Sequence, residues 1–260
     1  MKISLVSLNQ VWQNKEKNLQ KITKIIKYAS QNKVDLIAFP EMTLTGFSND
    51  VSLLSEDEKD SFSIKSFSNL AKNYNIAIIF GMISSHGNKG LNRSLMIDKN
   101  GKIIGNYTKI HPFSFANEDK FFISGEDLCI IDFHEFKIGL TICYDLRFPE
   151  LYSALGKNCH IIFNIANWPK KRIDHWKTLL KSRAIENQIF IAGVNRKGVD
   201  GNNLQYQESS YCFDPSGKKI NKKLSFSQKI FEINFEDIEN YKKNFNSVKD
   251  RKNILYKNFL

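Results

Sequence analysis

An apolar run ends at Cys143 in GLTICYDLRFPEL (139–151), and Tyr144, Asp145 and Arg147 follow at once. A thiol at a strand end, crowded by charge, is a potential nucleophile; a core cysteine ahead of a polar turn would read the same way. Two further segments share the design: FPEM sets Glu41 just past VDLIAF, and NYTKIHPF sets Lys109 just past KIIGNY. In sheets covered by helices, catalytic groups gather at strand ends, where the strand fixes the backbone and the loop shapes the pocket. Taken singly, Glu41 could be a first-turn helix charge and Lys109 a solvated surface lysine.

The elements that must hold these residues alternate from the start. KISLVSL (2–8) predicts a strand, and Lys15 to Asn32 a helix with Leu19, Ile22, Ile25, Ile26 and Ala29 on one face. VDLIAF (34–39) and NIAIIFG (75–81) predict strands, with a second amphipathic helix marked by Ile64, Phe67, Leu70, Ala71 and Tyr74. Hairpins are expected around Lys99-Asn100-Gly101, around His134-Glu135, and around Asp214 to Gly217. After Cys143 come a helix to about Gly156, the strand HIIFNIA (160–166), a helix from about Asp174 to Asn187, and the strands IFIAGV (189–194) and KIFEINF (229–235). A purely parallel sheet would not need the hairpins. Two mixed sheets face to face, with helices on both outer surfaces, fit the pattern as one α/β domain over 1–260 with a polar tail from about 239.

Composition narrows the classes. The chain has 260 residues, 42% of them hydrophobic, which is enough for a sizeable core. No apolar run approaches the roughly 20 residues that span a bilayer, so no membrane association is expected. The N-terminus reads as a first strand, which makes the cytoplasm the expected location. The net charge of +11 is spread along the chain without a dense basic block, so nucleic acid is not an expected partner. Cys129, Cys143, Cys159 and Cys212 form no C-x-x-C pair. No metal cluster, phosphate loop or dinucleotide fingerprint is visible, and no cofactor is expected. His111 and His175 read as structural.

Four segments then carry a resemblance over essentially the whole length: LIAFPEMTLTGF (36–47), YTKIHPFSFANEDKFFISG (107–125), GLTICYDLRFPELY (139–152) and HWKTLLKSRAIENQIFIAGVNRKGVDG (175–201). In that order they resemble the nitrilase superfamily of carbon–nitrogen hydrolases. The resemblance implies a four-layer αββα sandwich, a homo-oligomer that is most often a dimer, and a catalytic set of Glu41, Lys109 and Cys143. Only a thiolate attacks well, so a nearby Lys109 ammonium would favour it and Glu41 would accept its proton. Lys109 and the backbone N–H of Tyr144 would hold the oxyanion formed on an amide carbonyl. Glu41 would then protonate the departing nitrogen and activate water against the thioester. Glu118, nine residues after Lys109, would orient that lysine and the substrate; a loop salt bridge is its other reading.

Substrate clues follow from the same resemblance. Arg147 is a basic residue where relatives acting on carboxylate-bearing substrates have one, and its planar fork suits a carboxylate. An internal ion pair with Asp145 or Glu150 remains its alternative. IANWPKKRIDHW (165–176) and GVNRKGVDGNNLQY (193–206) resemble the bacterial ω-amidase subgroup, which hydrolyses 2-oxoglutaramate and related amides such as 2-oxosuccinamate to the dicarboxylic acid and ammonia. Asn167 and Trp168 would line the substrate site, with Trp168 as ordinary packing the other reading. A deaminated glutathione amidase or an N-carbamoyl amino acid hydrolase is the alternative enzyme, and a non-catalytic binding protein on the same scaffold the alternative class. Cys143-Tyr144-Asp145 departs from the Cys-Trp-Glu of true nitrilases.

Overall fold

The protein is described here from a computed structural model covering residues 1–220 and 225–257. The last residues of the expected polar tail, 258–260, lie outside the described residues. The first sheet holds β1 (Lys2–Val6), β2 (Leu36–Ala38), β3 (Ala77–His86), β4 (Lys89–Ile97), β5 (Ile103–Thr108) and, at its far edge, a strand from the C-terminal region. The second holds β6 (Ile130–Phe133), β7 (Phe136–Ile142), β8 (Ile161–Ala166) and β9 (Phe190–Asn195). A small hairpin, β10 (Gly198–Val199) with β11 (Gln205–Tyr206), precedes β12 (Tyr211–Phe213) and β13 (Gln228–Glu232). The orders are β13-β1-β2-β3-β4-β5 and β12-β9-β8-β7-β6. Both sheets are mixed: β1-β2-β3 and β7-β8-β9 run parallel, and the flanking strands pair antiparallel.

Period-two alternation builds the sandwich. Ile3, Leu5, Leu36, Ala38, Ile79 and Met96 face Ile138, Leu140, Ile142, Phe163, Ile165 and Val194 in one core between the sheets. The residues between them, such as Val6, Ile37, Phe39, Ile78 and Phe80, point outward to helices α1 (Lys15–Gln31) and, beyond the single turn α2 (Val51–Leu54), α3 (Phe62–Tyr74). α1 presents Ile22, Ile25, Ile26 and Ala29 at helical spacing and is capped by the Asn14 side chain, which accepts from the Lys17 N–H at 2.9 Å. α3 stacks Phe67 on Phe80 with ring centroids 4.0 Å apart. Past the short α4 (Glu118–Phe121), helices α5 (Pro149–Gly156) and α6 (Ile173–Asn187) cover the second sheet with Leu151, Tyr152, Leu155, Trp176, Leu180 and Ala184. α7 (Phe235–Asn244) tucks Ile238 against the central core, and α8 (Asn253–Lys257) ends the described chain. The αββα expectation is met, although β3 runs to His86, well past the predicted stop at Gly81. No helix among the described residues is long and apolar enough to cross a membrane.

Gly81 explains how β3 can run on past the predicted stop. The turn after β2 folds back onto this strand: Thr43 N–H donates to the Gly81 carbonyl at 2.9 Å, and Gly81 N–H donates to Thr43 Oγ1 at 2.9 Å. A Cβ at Gly81 would lie 2.5 Å from the Met42 nitrogen and 3.0 Å from Glu41 Cα. The glycine is there for close approach. Gly81→Ala should therefore cost about 1–3 kcal/mol, the usual penalty of overpacking, and displace Glu41. A denaturant melt and an activity assay on the same preparation check this; unchanged stability would mean the turn has slack.

Candidate active site

Three strand ends converge at one edge of the sandwich. Glu41 follows β2, Lys109 follows β5 directly, and Cys143 follows β7 directly. Glu41 sits in a tight turn in which Met42 takes φ 45°, a conformation uncommon for a non-glycine residue. The turn is pinned by the buried Gln10 amide, 2.9 to 3.2 Å from the carbonyls of Glu41, Met42 and Thr43. Cys143 itself has φ 45°, a strained elbow that turns the thiol out of the strand and into the 3-10 turn Cys143–Arg147.

The Lys109 ammonium lies between two fully buried carboxylates, 3.1 Å from Glu41 Oε1 and 2.7 Å from Glu118 Oε2. Every remaining carboxylate bond is to a fixed donor. Asn92 Nδ2 donates to Glu41 Oε1 at 2.9 Å and to Glu118 Oε1 at 2.8 Å. The Asn167 N–H donates to Glu41 Oε2 at 2.9 Å, and the Phe113 N–H to Glu118 Oε2 at 2.6 Å. Burial alone would pull the lysine pKa down, but Glu118 and Glu41 outweigh it and hold it above the ordinary lysine range. Lys109 is charged.

The thiol behaves differently from the sequence-based expectation. Burial and then the Glu41 carboxylate push the Cys143 thiol well above its ordinary range; the Lys109 ammonium and a hydrogen bond from the Asn167 backbone oppose this but do not win. Lys109 alone favours a thiolate, as expected, yet burial, with Glu41 and Glu118 behind it, outweighs that pull. The Cys143 thiol is thus favoured over its thiolate.

A cleft opens over this set, lined by Lys109, Cys143, Tyr144, Arg147, Asn167 and Trp168 among others, with Glu41 and Glu118 beneath it. The residues predicted from sequence are therefore brought together. Neither alternative pairing of Arg147 forms: its Nη2 lies 3.3 Å from His175 Nδ1, and its guanidinium sits 4.9 Å above the Trp168 ring. Trp168 also packs on Trp176 with centroids 5.3 Å apart, so it lines the cleft and fills the core at once. Asn167 holds Glu41, its side-chain amide donating to the Glu41 carbonyl at 2.7 Å.

Asp145 is fully buried and serves a different carboxylate role from the ion pair weighed for it. Its Oδ2 accepts from Tyr107 Oη at 2.8 Å and from the Ile142 N–H at 2.9 Å; its Oδ1 accepts from the His111 N–H at 3.0 Å and faces His111 Nδ1 at 2.8 Å. Burial first, and then the Asp145 charge, raise the Tyr107 phenol, which keeps its proton as a donor. One carboxylate thus ties the nucleophile's elbow to the strand end that carries Lys109. Asn92 is the other residue that sequence reasoning passed over. An asparagine inside a strand is poorly suited to a sheet and was the available signal.

The family described as carbon–nitrogen hydrolase matches residues 2–243. A "Hydrolase in agr operon" of Staphylococcus aureus is 32% identical over 268 residues, covering 99% of this chain and 100% of its own. A "2-oxoglutaramate amidase" of Bacillus subtilis is 32% identical over 222 residues, covering 84% of each. The crystal structure of XC1258 from Xanthomonas campestris, a CN-hydrolase superfamily protein with an arsenic adduct in its active site, superposes with a TM-score of 0.90 at 28% identity over 97% of both chains. The chain belongs to the carbon–nitrogen hydrolase family. Its reaction class is hydrolysis of a carbon–nitrogen bond.

Two outcomes are expected. Iodoacetamide labelling of Cys143, followed by peptide mass spectrometry, should keep accelerating above pH ~8.5, the ordinary thiol midpoint; a rate that levels off below it would reveal a resting thiolate. Asp145→Asn puts an NH₂ group against donors on one side or the other, and should cost about 1–3 kcal/mol in a denaturant melt.

Proposed function

We propose that this protein is an amidase that hydrolyses the terminal amide of small 2-oxo acid amides, 2-oxoglutaramate and 2-oxosuccinamate, through a cysteine thioester. The observation that carries the catalytic part is the buried Glu41–Lys109–Glu118 cluster, whose three charges all act on the Cys143 thiol. The observation that favours an acid substrate is Arg147, a cation on the cleft wall held by an aromatic ring and no carboxylate among the described residues. The 2-oxoglutaramate amidase relative agrees with that choice.

The steps follow from the resting charges. As Sγ approaches the amide carbon, Glu41 takes the thiol proton, so charge develops on sulfur only as the new bond forms. The oxygen of the tetrahedral intermediate is held by the Lys109 ammonium and the Tyr144 N–H; losing one such donor typically costs about 10²–10³ in rate. Glu41 returns the proton to the nitrogen, the carbon–nitrogen bond breaks, and ammonia leaves a thioester. Glu41 then deprotonates a water that attacks the thioester carbon; the carbon–sulfur bond breaks and the departing sulfur recovers the proton. Glu118 and Asn92 keep Lys109 and Glu41 in place through both halves. Arg147 takes the substrate carboxylate. The enzyme is expected in the cytoplasm as a homodimer, which sedimentation tests.

Ammonia release from 2-oxoglutaramate, measured beside deaminated glutathione and an N-carbamoyl amino acid, decides the substrate; brisk turnover of either alternative with none of the first would replace it. Cys143→Ala should abolish turnover, and an acyl adduct on Cys143 should appear by mass spectrometry in the rapidly quenched wild type. Arg147→Gln should raise KM for 2-oxoglutaramate by roughly 10–100-fold with a smaller change in kcat, the loss of a charge-assisted hydrogen bond.

A further inference from the structure

Arg172 lines the same cleft as Cys143 and Arg147. Its guanidinium rides 5.5 Å from the centroid of the Phe113 ring, and it forms no ion pair with a carboxylate among the described residues. The residue's backbone is fixed at both ends: its N–H donates to the Pro169 carbonyl at 3.0 Å, and its carbonyl accepts from Trp168 Nε1 at 2.7 Å. One indole therefore carries Arg147 on its face and anchors Arg172 through its edge. The main chain that carries this indole is itself held by Asn195, which accepts from the Trp168 backbone N–H at 2.7 Å and donates to the Trp168 carbonyl at 2.9 Å. The Phe113 plate is fixed likewise, through its N–H to Glu118. The backbones of both aromatic plates are thus fixed, that of Trp168 by Asn195 and that of Phe113 by Glu118.

We infer that Arg172 is a second substrate anchor, directed at the 2-oxo oxygen next to the carboxylate taken by Arg147. The inference rests on the proposed 2-oxo acid amide reading and adds the residue that tells such a substrate from a plain acid amide. On the buried floor the Lys109 ammonium already lies against the carboxyl groups of Glu41 and Glu118, whereas the two cleft-wall guanidinium groups have no carboxylate partner among the described residues. Arg147 and Arg172 turn the cleft as a whole positive, which favours an anionic substrate. A plain carboxylate satisfies one planar fork. A 2-oxo acid places a carbonyl oxygen on the adjacent carbon, so two forks on neighbouring walls each find an acceptor. A substrate without that oxygen leaves the Arg172 donors unmatched.

The test compares the preference for 2-oxoglutaramate over glutaramate, the same acid amide lacking the 2-oxo group, as a ratio of kcat/KM. Arg172→Gln should lower that ratio at least ~10-fold, mainly through KM for 2-oxoglutaramate, whereas Arg147→Gln should weaken both substrates and leave the ratio nearly as it was. Arg172→Lys, which keeps the charge and the contact with Phe113 but loses the fork, should fall between. A preference that survives in Arg172→Gln overturns the assignment of Arg172 alone, and so does an equal loss on both amides, which would mark a structural role. A wild type with no preference for 2-oxoglutaramate overturns the substrate reading together with the anchor.

Discussion

One ammonium between two carboxylates is the constraint on which the site depends. Glu41 and Glu118 are wholly buried, and two uncompensated anions there would be prohibitively costly. Lys109 offsets one charge, and Asn92, Asn167 and Phe113 supply hydrogen bonds that make the remaining negative charge tolerable. This arrangement bears on both protons. Against the pull of burial, Glu118 and Glu41 raise the Lys109 ammonium above its ordinary range. Burial first, and then the Glu41 carboxylate, disfavour the Cys143 thiolate against the opposing pull of Lys109.

The fold serves this constraint by fixing backbones. Lys109 continues the β5 pairing one residue past the strand, its N–H donating to the Asn92 carbonyl at 2.9 Å, so the residue that bridges both carboxylates also holds the lysine main chain. Asp145 joins that strand end to the cysteine elbow. On the helix side, Arg183 donates to the Leu146 carbonyl at 2.9 and 3.2 Å, capping the turn that begins at the nucleophile. A strained φ at Cys143 persists because donors on all sides over-determine it.

The sandwich was legible because its signals are local. The buried face of α1 can be read from Ile22 and Ile25, the helix-facing side of β2 and its end from Ile37 and Phe39, and each strand end carried its ionisable residue visibly. Strand limits were less legible: β3 continues through Gly81 because a glycine there serves the approach of Glu41, a contact between segments 40 residues apart in sequence. The clustering of Glu41, Glu118, Lys109 and Cys143 was readable from four matching segments. The protonation of the thiol was not, because it follows from the sum of burial and charges brought together only by folding. Asp145 stood in view near Arg147, yet its partners Tyr107 and His111 lie on β5 and in the segment just past it, so an ion pair with its sequence neighbour looked as natural as the bond it makes.

The same distinction separates the buried floor from the cleft wall. The floor is tied together by the bonds that Asn92 and Asn167 donate to Glu41 and Glu118. The cleft wall is built otherwise: Arg147 rests on Trp168 with one contact to His175 Nδ1 at 3.3 Å, and Arg172 rests on Phe113. Stacking keeps a guanidinium in place without consuming its hydrogen bonds, whereas an ion pair with Asp145 or Glu150 would have consumed them. Asp145 is instead saturated by Tyr107, His111 and Ile142, which removes the nearest internal competitor for Arg147 and leaves that guanidinium on the Trp168 ring.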